Sequence, residues 1–81
     1  MNPESIALEI IAKQTGLSAD EIDRKSVLLG DLNLDSLDLV EMVMNLEEDL
    51  GYADIPDEEW EKVLTVENFI DMAKKYAKKS P

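Results

Sequence analysis

The strongest helical pattern in the sequence is residues 35–50, DSLDLVEMVMNLEEDL. Asp35 is a suitable N-cap, Asp38 lies in the first turn where the helix dipole favours an acid, and Gly51 is a natural C-terminal stop. At about 100° per residue, one sector of this helix collects its core residues. These are Leu39, Met42, Val43, Leu46 and Leu50.

Two further stripes lie outside that core face. An acidic sector contains Asp38, Glu41, Glu48 and Asp49 with Asn45 between them, and a second apolar sector contains Leu37, Val40 and Met44. A bundle helix needs only one apolar stripe, and acids beside exposed Leu and Met are typical of a docking surface. Two plainer interpretations stay open: a solvated acidic face that maintains solubility, and packing of Leu37, Val40 and Met44 beneath a short helix over residues 56–63, which we expect for Val40.

The flanking segments also predict helices. Asn2, Pro3 and Glu4 are typical of a helix start, and we expect a helix over residues 3–15 that ends at Gly16. Residues 17–34 form a long connection with a short turn capped by Ser18. We expect its apolar residues to point inward: Leu17, Ile22, Val27, Leu28, Leu29 and Leu32.

After the central helix, Ile55 and Pro56 open a short helix that reaches roughly Val63, and Thr65 caps the last helix. The last helix places Val66, Phe69, Ile70 and Ala73 on one side. The sequence therefore predicts an all-α fold: a small antiparallel four-helix bundle of three longer helices and one short one, with a long loop between the first two helices.

Composition excludes several classes of function. Eighty-one residues are sufficient for one domain, residues 1–81, and nothing requires more than a monomer. The net charge of −11 argues against binding nucleic acid or anionic membranes. The sequence has no Cys and no His, which excludes disulfides, thiolate metal sites and a Ser-His-Asp triad within the chain. No apolar run approaches the length of a membrane span, so we expect a cytoplasmic protein without membrane insertion. We also expect no metal site.

The charge is also segregated along the chain. Between Ser26 and Glu61 there are twelve Asp or Glu residues and no Lys or Arg. A negative field over this block would steer basic partners and make their binding salt-dependent.

Asp35-Ser36-Leu37 is the motif with the clearest chemistry. Ser36 would lie in the first turn of the central helix, where unpaired N–H groups and the helix dipole tolerate a phosphate ester. Asp35 and Asp38 would repel a free phosphate, so they suit a basic enzyme or a metal instead. The tripeptide alone is better explained as an ordinary helix start.

A longer match gives the motif its context. The segment Leu32–Glu41, LNLDSLDLVE, resembles the attachment site of acyl carrier proteins, and the resemblance continues through residues 44–49, 55–59 and 65–66. It implies a non-catalytic carrier whose Ser36 receives 4'-phosphopantetheine from coenzyme A through a phosphopantetheinyl transferase. The attached thiol would carry growing acyl chains of fatty acid biosynthesis as thioesters.

The resemblance also implies a set of partner and cavity residues. Basic-surfaced acyl synthases, transferases and reductases would bind Asp35, Leu37, Asp38, Val40, Glu41, Met44, Glu47 and Glu48. The acyl chain would enter a cavity lined by Val43, Leu46, Ile55 and Phe69.

Three positions depart from the pattern of these carriers. Asn33 stands where Gly is common, although Asn also tolerates positive φ. The connection Gly51–Asp54 is about one residue longer than usual. Trp60 replaces a small or polar residue, and it would lie on the surface or act as a lid or partner anchor.

Other functions compete with this interpretation. Asp31, Asn33 and Asp35 match the first ligands of a calcium loop, but Ser36 stands where that loop needs Gly, and Met42 where it needs Glu. A carrier of polyketide, aminoacyl, peptidyl or D-alanyl cargo would use the same serine. An interaction protein that keeps the fold and is never modified is a third class.

Overall fold

The computed structural model describes residues 2–77, and its first helix begins and ends at local sequence signals. Helix α1 spans Pro3–Thr15, the side chain of Asn2 accepts a hydrogen bond from the Ser5 N–H at 3.0 Å, and Gly16 ends the helix at φ 80°. A left-handed residue at this point is what glycine adopts most readily. The predicted bounds of this helix are confirmed.

Three more helices and one 3-10 turn follow. The turn spans Ala19–Glu21, α2 spans Ser36–Asp49, α3 spans Asp57–Trp60 and α4 spans Val66–Ala77. Thr65 caps α4, because its hydroxyl oxygen accepts a hydrogen bond from the Asn68 N–H at 3.1 Å. Residues 2–77 contain no strand, and the predicted all-α fold of three longer helices and one short one is confirmed.

Helix α1 packs against both α2 and α4, and α3 packs against α4. Among the described residues, every buried side chain in the core is apolar or aromatic. The largest fully buried side chains are Phe69, Ile11, Leu28, Met42, Leu46, Ile70 and Val66. None of the four helices described over residues 2–77 combines the length and apolar character that crossing a bilayer requires.

Helix α3 is shorter than predicted. It ends at Trp60 and not near Val63, because the chain after it is drawn into contact with the long connection. The carbonyl of Leu64 accepts a hydrogen bond from the Leu28 N–H at 2.9 Å, and Thr65 forms an isolated antiparallel bridge with Val27. The extended backbone that this pairing requires is incompatible with another helical turn.

The same pairing corrects the prediction for the connection between α1 and α2. Leu28 is buried, but Val27 and Leu29 on either side of it are 40% and 44% exposed. Val27 pairs with Thr65, and the chain then turns over residues 28–32, so only Leu28 of the three reaches the core. The connection is nevertheless well held, because the N–H groups of Val66 and Glu67 also donate to it.

Candidate functional site at the start of helix α2

Ser36 is the first residue of α2 and its side chain is exposed. Among the hydrogen bonds that residues 2–77 form with one another, none uses the Ser36 hydroxyl. The N–H groups of Ser36 and Leu37 lie in the first turn, where a helix offers them no internal acceptor. The structure therefore presents a hydroxyl that is open to a visiting enzyme.

Asp35 and Asp38 fix the backbone around this serine. Asp35 Oδ1 accepts from the Asp38 N–H at 2.9 Å, and Asp38 Oδ2 accepts from the Asp35 N–H at 3.0 Å. This reciprocal capping satisfies two backbone donors at once. The bond from the Asp35 N–H is the main reason why the pKa of Asp38 is lowered from its ordinary value of 3.8.

Asn33 shapes the approach to the helix. It adopts φ 57°, so the turn that usually contains glycine is kept with asparagine, as the sequence predicted. Leu34, which follows it, is buried and anchors the end of the connection in the core. The entry to α2 is thus set by one left-handed residue and one apolar anchor.

Gln14 is a neighbour of the candidate site that the sequence pattern does not reveal. Its Nε2 donates to Asp38 Oδ1 at 2.8 Å and to Glu41 Oε1 at 3.0 Å, so one amide from α1 joins two carboxylates on α2. The bond to Asp38 also contributes to the lowered pKa of that carboxyl. Nothing in the local pattern marks Gln14, because its partners lie 24 and 27 residues away in the sequence.

The second apolar stripe of α2 is divided by burial. Leu37 and Met44 are 68% and 61% exposed, whereas Val40 is half-buried. The interpretation that all three pack beneath the short helix is therefore wrong for Leu37 and Met44, and the half-burial of Val40 is compatible with it. Leu37 and Met44 remain as apolar side chains open to solvent along the helix.

The acidic residues of α2 also differ in their surroundings. Glu41 and Glu48 are exposed, and Glu47 is half-buried. Glu47 Oε2 accepts from the Ile55 N–H at 2.9 Å, and the Glu47 carbonyl accepts from the Ala53 N–H at 3.0 Å. Glu47 therefore holds the connection that follows α2 as well as standing on the predicted partner face.

The ion pairs within residues 2–77 do not involve α2. The three pairs join Arg24 and Lys74 to Glu4, and Lys75 to Glu59. None of the acids on α2 forms a salt bridge within residues 2–77. The acids of α2 thus keep their negative charge without an ion pair from residues 2–77.

A family model for the phosphopantetheine attachment site matches residues 6–73. The chain belongs to this family. Its members bear 4'-phosphopantetheine covalently, and as carriers they are generally not catalysts. The fold is similar to a crystal structure of an acyl carrier protein from Thermotoga maritima at 2.00 Å resolution, with a TM-score of 0.76 and 26% sequence identity over 98% of this chain and 94% of that one.

The residues at the start of α2 fit such a prosthetic group. Ser36 offers an exposed hydroxyl for a phosphodiester, and the first-turn N–H groups of Ser36 and Leu37 favour an anion next to it. The carboxylates of Asp35 and Asp38 are held by each other's backbone. When attached, 4'-phosphopantetheine supplies the thiol that the Cys-free chain lacks.

The four residues predicted to line an acyl cavity are all buried in the core. Val43, Leu46, Ile55 and Phe69 are 3%, 0%, 3% and 0% exposed and belong to one cluster. They are apolar and share one core, which a cavity for a hydrocarbon chain would require. Their role as its lining stays a prediction.

Trp60 lies at the end of α3, half-buried, and packs against the core cluster. Its Nε1 donates to Asp57 Oδ1 at 3.0 Å, so the indole closes the short helix on itself. The side chain is neither fully exposed nor part of the central core. This placement agrees with an amphipathic residue that covers the edge of the core.

Proposed function

We propose that this chain is an acyl carrier in which Ser36 bears 4'-phosphopantetheine and carries growing acyl chains as thioesters between enzymes of fatty acid biosynthesis. Residues 1–81 act as a single domain, as a monomer and in the cytoplasm. The chain is not itself a catalyst. It is the substrate of a phosphopantetheinyl transferase, which uses coenzyme A.

One observation carries the proposal: the exposed hydroxyl of Ser36 at the first position of α2. Ser18, by contrast, donates its hydroxyl to Glu21 Oε1 at 3.0 Å. The Ser36 hydroxyl has no such bond within residues 2–77, and the chain contains no His that could act as its base. The transferase must therefore supply the group that takes the proton when the serine oxygen forms the phosphodiester.

The α2 face supports the proposed partners. Asp35, Asp38, Glu41, Glu47 and Glu48 supply negative charge that no ion pair within residues 2–77 neutralises. Such charge steers a basic enzyme surface toward the serine, and the exposed Leu37 and Met44 offer apolar contact once it has arrived. Phosphopantetheinyl transferase, acyl synthases, acyl transferases and reductases with basic docking surfaces would share this face.

The acids of α2 also favour one class of cargo over the others. The density of acids on α2 favours separate, diffusing partner enzymes, which is the arrangement of fatty acid synthesis with free-standing proteins. A carrier for polyketide, aminoacyl, peptidyl or D-alanyl groups uses the same serine chemistry. The core residues Val43, Leu46, Ile55 and Phe69 would shelter a hydrocarbon chain, which a polar aminoacyl group would not need.

The test is modification by a broadly tolerant phosphopantetheinyl transferase with coenzyme A. We expect the wild type to gain the mass of one phosphopantetheine and Ser36→Ala to gain none. Ser18→Ala is the matched control, since it removes a hydroxyl outside α2 and should still be modified. An unchanged mass of the folded wild type under conditions that modify a known carrier would refute the proposal.

A further inference from the structure

Trp60 is the largest of the side chains that pack against the core from outside. Among residues 2–77, seven half-buried apolar residues pack against the core cluster, and six of them are Leu or Ala. The seventh is Trp60, the only Trp in the chain. An indole covers more apolar surface than a Leu or Ala side chain, so its position decides how much of the core is closed at this edge.

Trp60 lies between two buried residues of one segment. Ile55 before it and Val63 after it are 3% and 7% exposed, and both belong to the core cluster. The Trp60 carbonyl accepts a hydrogen bond from the Val63 N–H at 3.1 Å. Ile55 is also one of the four residues predicted to line an acyl cavity. The indole thus covers the core from the segment that supplies part of that predicted lining.

The segment 56–63 is fixed at its two ends. Before it, the Ile55 N–H donates to Glu47 Oε2 at 2.9 Å, and after it the Leu64 carbonyl accepts from the Leu28 N–H at 2.9 Å. Between these points, three backbone N–H groups donate to carbonyls of the segment itself. The segment is therefore a short flap between two fixed points.

The middle of this flap is joined to α4 by side chains. The Glu59 carboxylate pairs with Lys75 and interacts with Tyr76. An ion pair at the surface contributes little stability, and a helix of four residues is not stable by itself. The Trp60 Nε1 donates to Asp57 within the flap, so the indole can move with the flap and keep this hydrogen bond.

A hydrocarbon chain can enter this core only if a covering side chain moves. The four predicted lining residues are 0% or 3% exposed, and a core is packed as densely as an organic crystal. Displacing a half-buried indole into water is unfavourable, whereas each methylene that the chain buries is favourable. A short chain buries too few methylenes to offset the displacement of the indole, and a longer chain buries enough.

We propose that Trp60 sets the minimum length of the acyl chain that this protein shelters, because the indole must leave the core before a chain can enter it. Saturated chains below this length stay in solvent on their attachment arm, and longer chains displace the indole. The inference rests on the proposed function in that the chains are attached at Ser36. A small or polar residue at this position, as in the carrier pattern, would impose no such minimum.

The test attaches alkyl chains without a transferase. Because the chain has no Cys, Ser36→Cys provides a single thiol. A linker of pantetheine length that ends in an ethyl, butyl, hexyl, octyl, decyl or dodecyl group is joined to it as a disulfide, and intact mass confirms complete attachment. Tryptophan emission and melting temperature are then compared with those of the same protein bearing the linker alone.

Three variants are made in this Ser36→Cys parent. Trp60→Ala removes the indole, and Trp60→Phe replaces it with a smaller ring, which gives the same comparison if the alanine variant does not fold. Leu8→Ala is the matched control, since it removes another half-buried side chain that packs against the core, from α1.

We expect ethyl and butyl groups to change neither signal of the parent. Decyl and dodecyl groups should raise its melting temperature and move the emission to longer wavelength, because the indole enters water as the chain enters the core. In Trp60→Ala and Trp60→Phe the melting temperature should begin to rise at least one member earlier in the alkyl series. Leu8→Ala should respond at the same chain length as the parent.

An equal minimum length in the parent and in the Trp60 variants would overturn the inference, as would the absence of a response at every length. Emission that moves to shorter wavelength would show that the indole stays over the chain, which contradicts its displacement. The disulfide bypasses the transferase. Failure here therefore leaves the modification of Ser36 untouched, and failure of that modification leaves this result untouched.

Discussion

Helices α1 and α2 both begin with a side chain that caps the first turn, Asn2 in α1 and Asp35 in α2. The acids in the first turns of these two helices have different partners. Glu4 in the first turn of α1 pairs with Arg24 and Lys74, whereas Asp38 in the first turn of α2 is bonded by the Asp35 N–H and by the neutral Gln14 amide. One acid is neutralised by the protein's own cations, and the other is positioned without losing its charge.

The difference separates stability from recognition. The pairs of Glu4, and that of Lys75 with Glu59, lie on the side of α1, α3 and α4 and reduce the self-repulsion of a chain with a net charge of −11. On α2 hydrogen bonds hold the carboxylates in place, and the field remains available to a partner. Surface ion pairs contribute little stability. The main consequence of pairing the acids of α1 and α3, and not those of α2, is therefore that the unpaired negative charge lies on α2.

The largest effect should come from reversing a charge on α2. Glu41→Lys should lower the kcat/KM of a phosphopantetheinyl transferase for this carrier about tenfold at low salt, and less at high salt, because it weakens electrostatic steering. Glu9→Lys makes the same change in charge at an exposed position of α1 and should have a much smaller effect. If both variants lost activity equally, only net charge would matter and the distinction between the two helices would fail.

A smaller effect should come from the caps. Asn2→Ala and Asp35→Ala should each destabilise the fold by about 1 kcal/mol, measured by urea unfolding, since each removes the acceptor of a first-turn N–H. Asp35→Asn keeps an acceptor and should recover most of that stability. If Asp35 serves both as cap and as partner contact, Asp35→Asn should still impair modification of Ser36. Full activity of Asp35→Asn would limit Asp35 to capping.

The smallest expected effect is a change in the pKa values of Glu4 and Asp38. The pKa of Glu4 is lowered from 4.5 chiefly by its hydrogen bond with Arg24, and that of Asp38 is lowered from 3.8 chiefly by the Asp35 N–H. Both contribute stability above those ordinary values and lose it as the pH falls through the lowered pKa. Added salt should raise the pKa of Glu4 toward 4.5 and change that of Asp38 less, because salt screens an ion pair more than a hydrogen bond to a neutral donor.

NMR titration of the side-chain carboxyls measures both pKa values. Gln14→Ala should raise the pKa of Asp38 and leave that of Glu4 unchanged. An equal response of the two acids to salt would contradict the contrast between ion-paired and hydrogen-bonded carboxylates.

Features fixed by neighbouring residues were predictable from the sequence. The ends of α1, the caps at Asp35 and Thr65 and the positive φ of Asn33 depend on residues within one turn, and all were predicted. The resemblance also placed the chain in the family that residues 6–73 match. Local chemistry and a spaced motif therefore gave most of the fold.

Features that depend on distant contacts were missed. Helix α3 ends early because the segment near Leu64 pairs with the connection around Leu28, and Leu29 is exposed in the turn that the connection makes there. Gln14 bridges two acids of another helix, and Tyr52 is left-handed because Glu47 holds the loop that follows it. Helical periodicity contains no information about such hydrogen bonds between distant segments of the chain.

Mass spectrometry of the protein purified from its native source tests the role of Ser36 most directly. Intact and fragment masses report in one measurement whether a prosthetic group is present, which residue bears it and what it carries. We expect phosphopantetheine on Ser36, with a fraction of the thiol esterified by fatty acyl chains. A native protein that is uniformly unmodified, or modified at a different serine, would contradict the central claim.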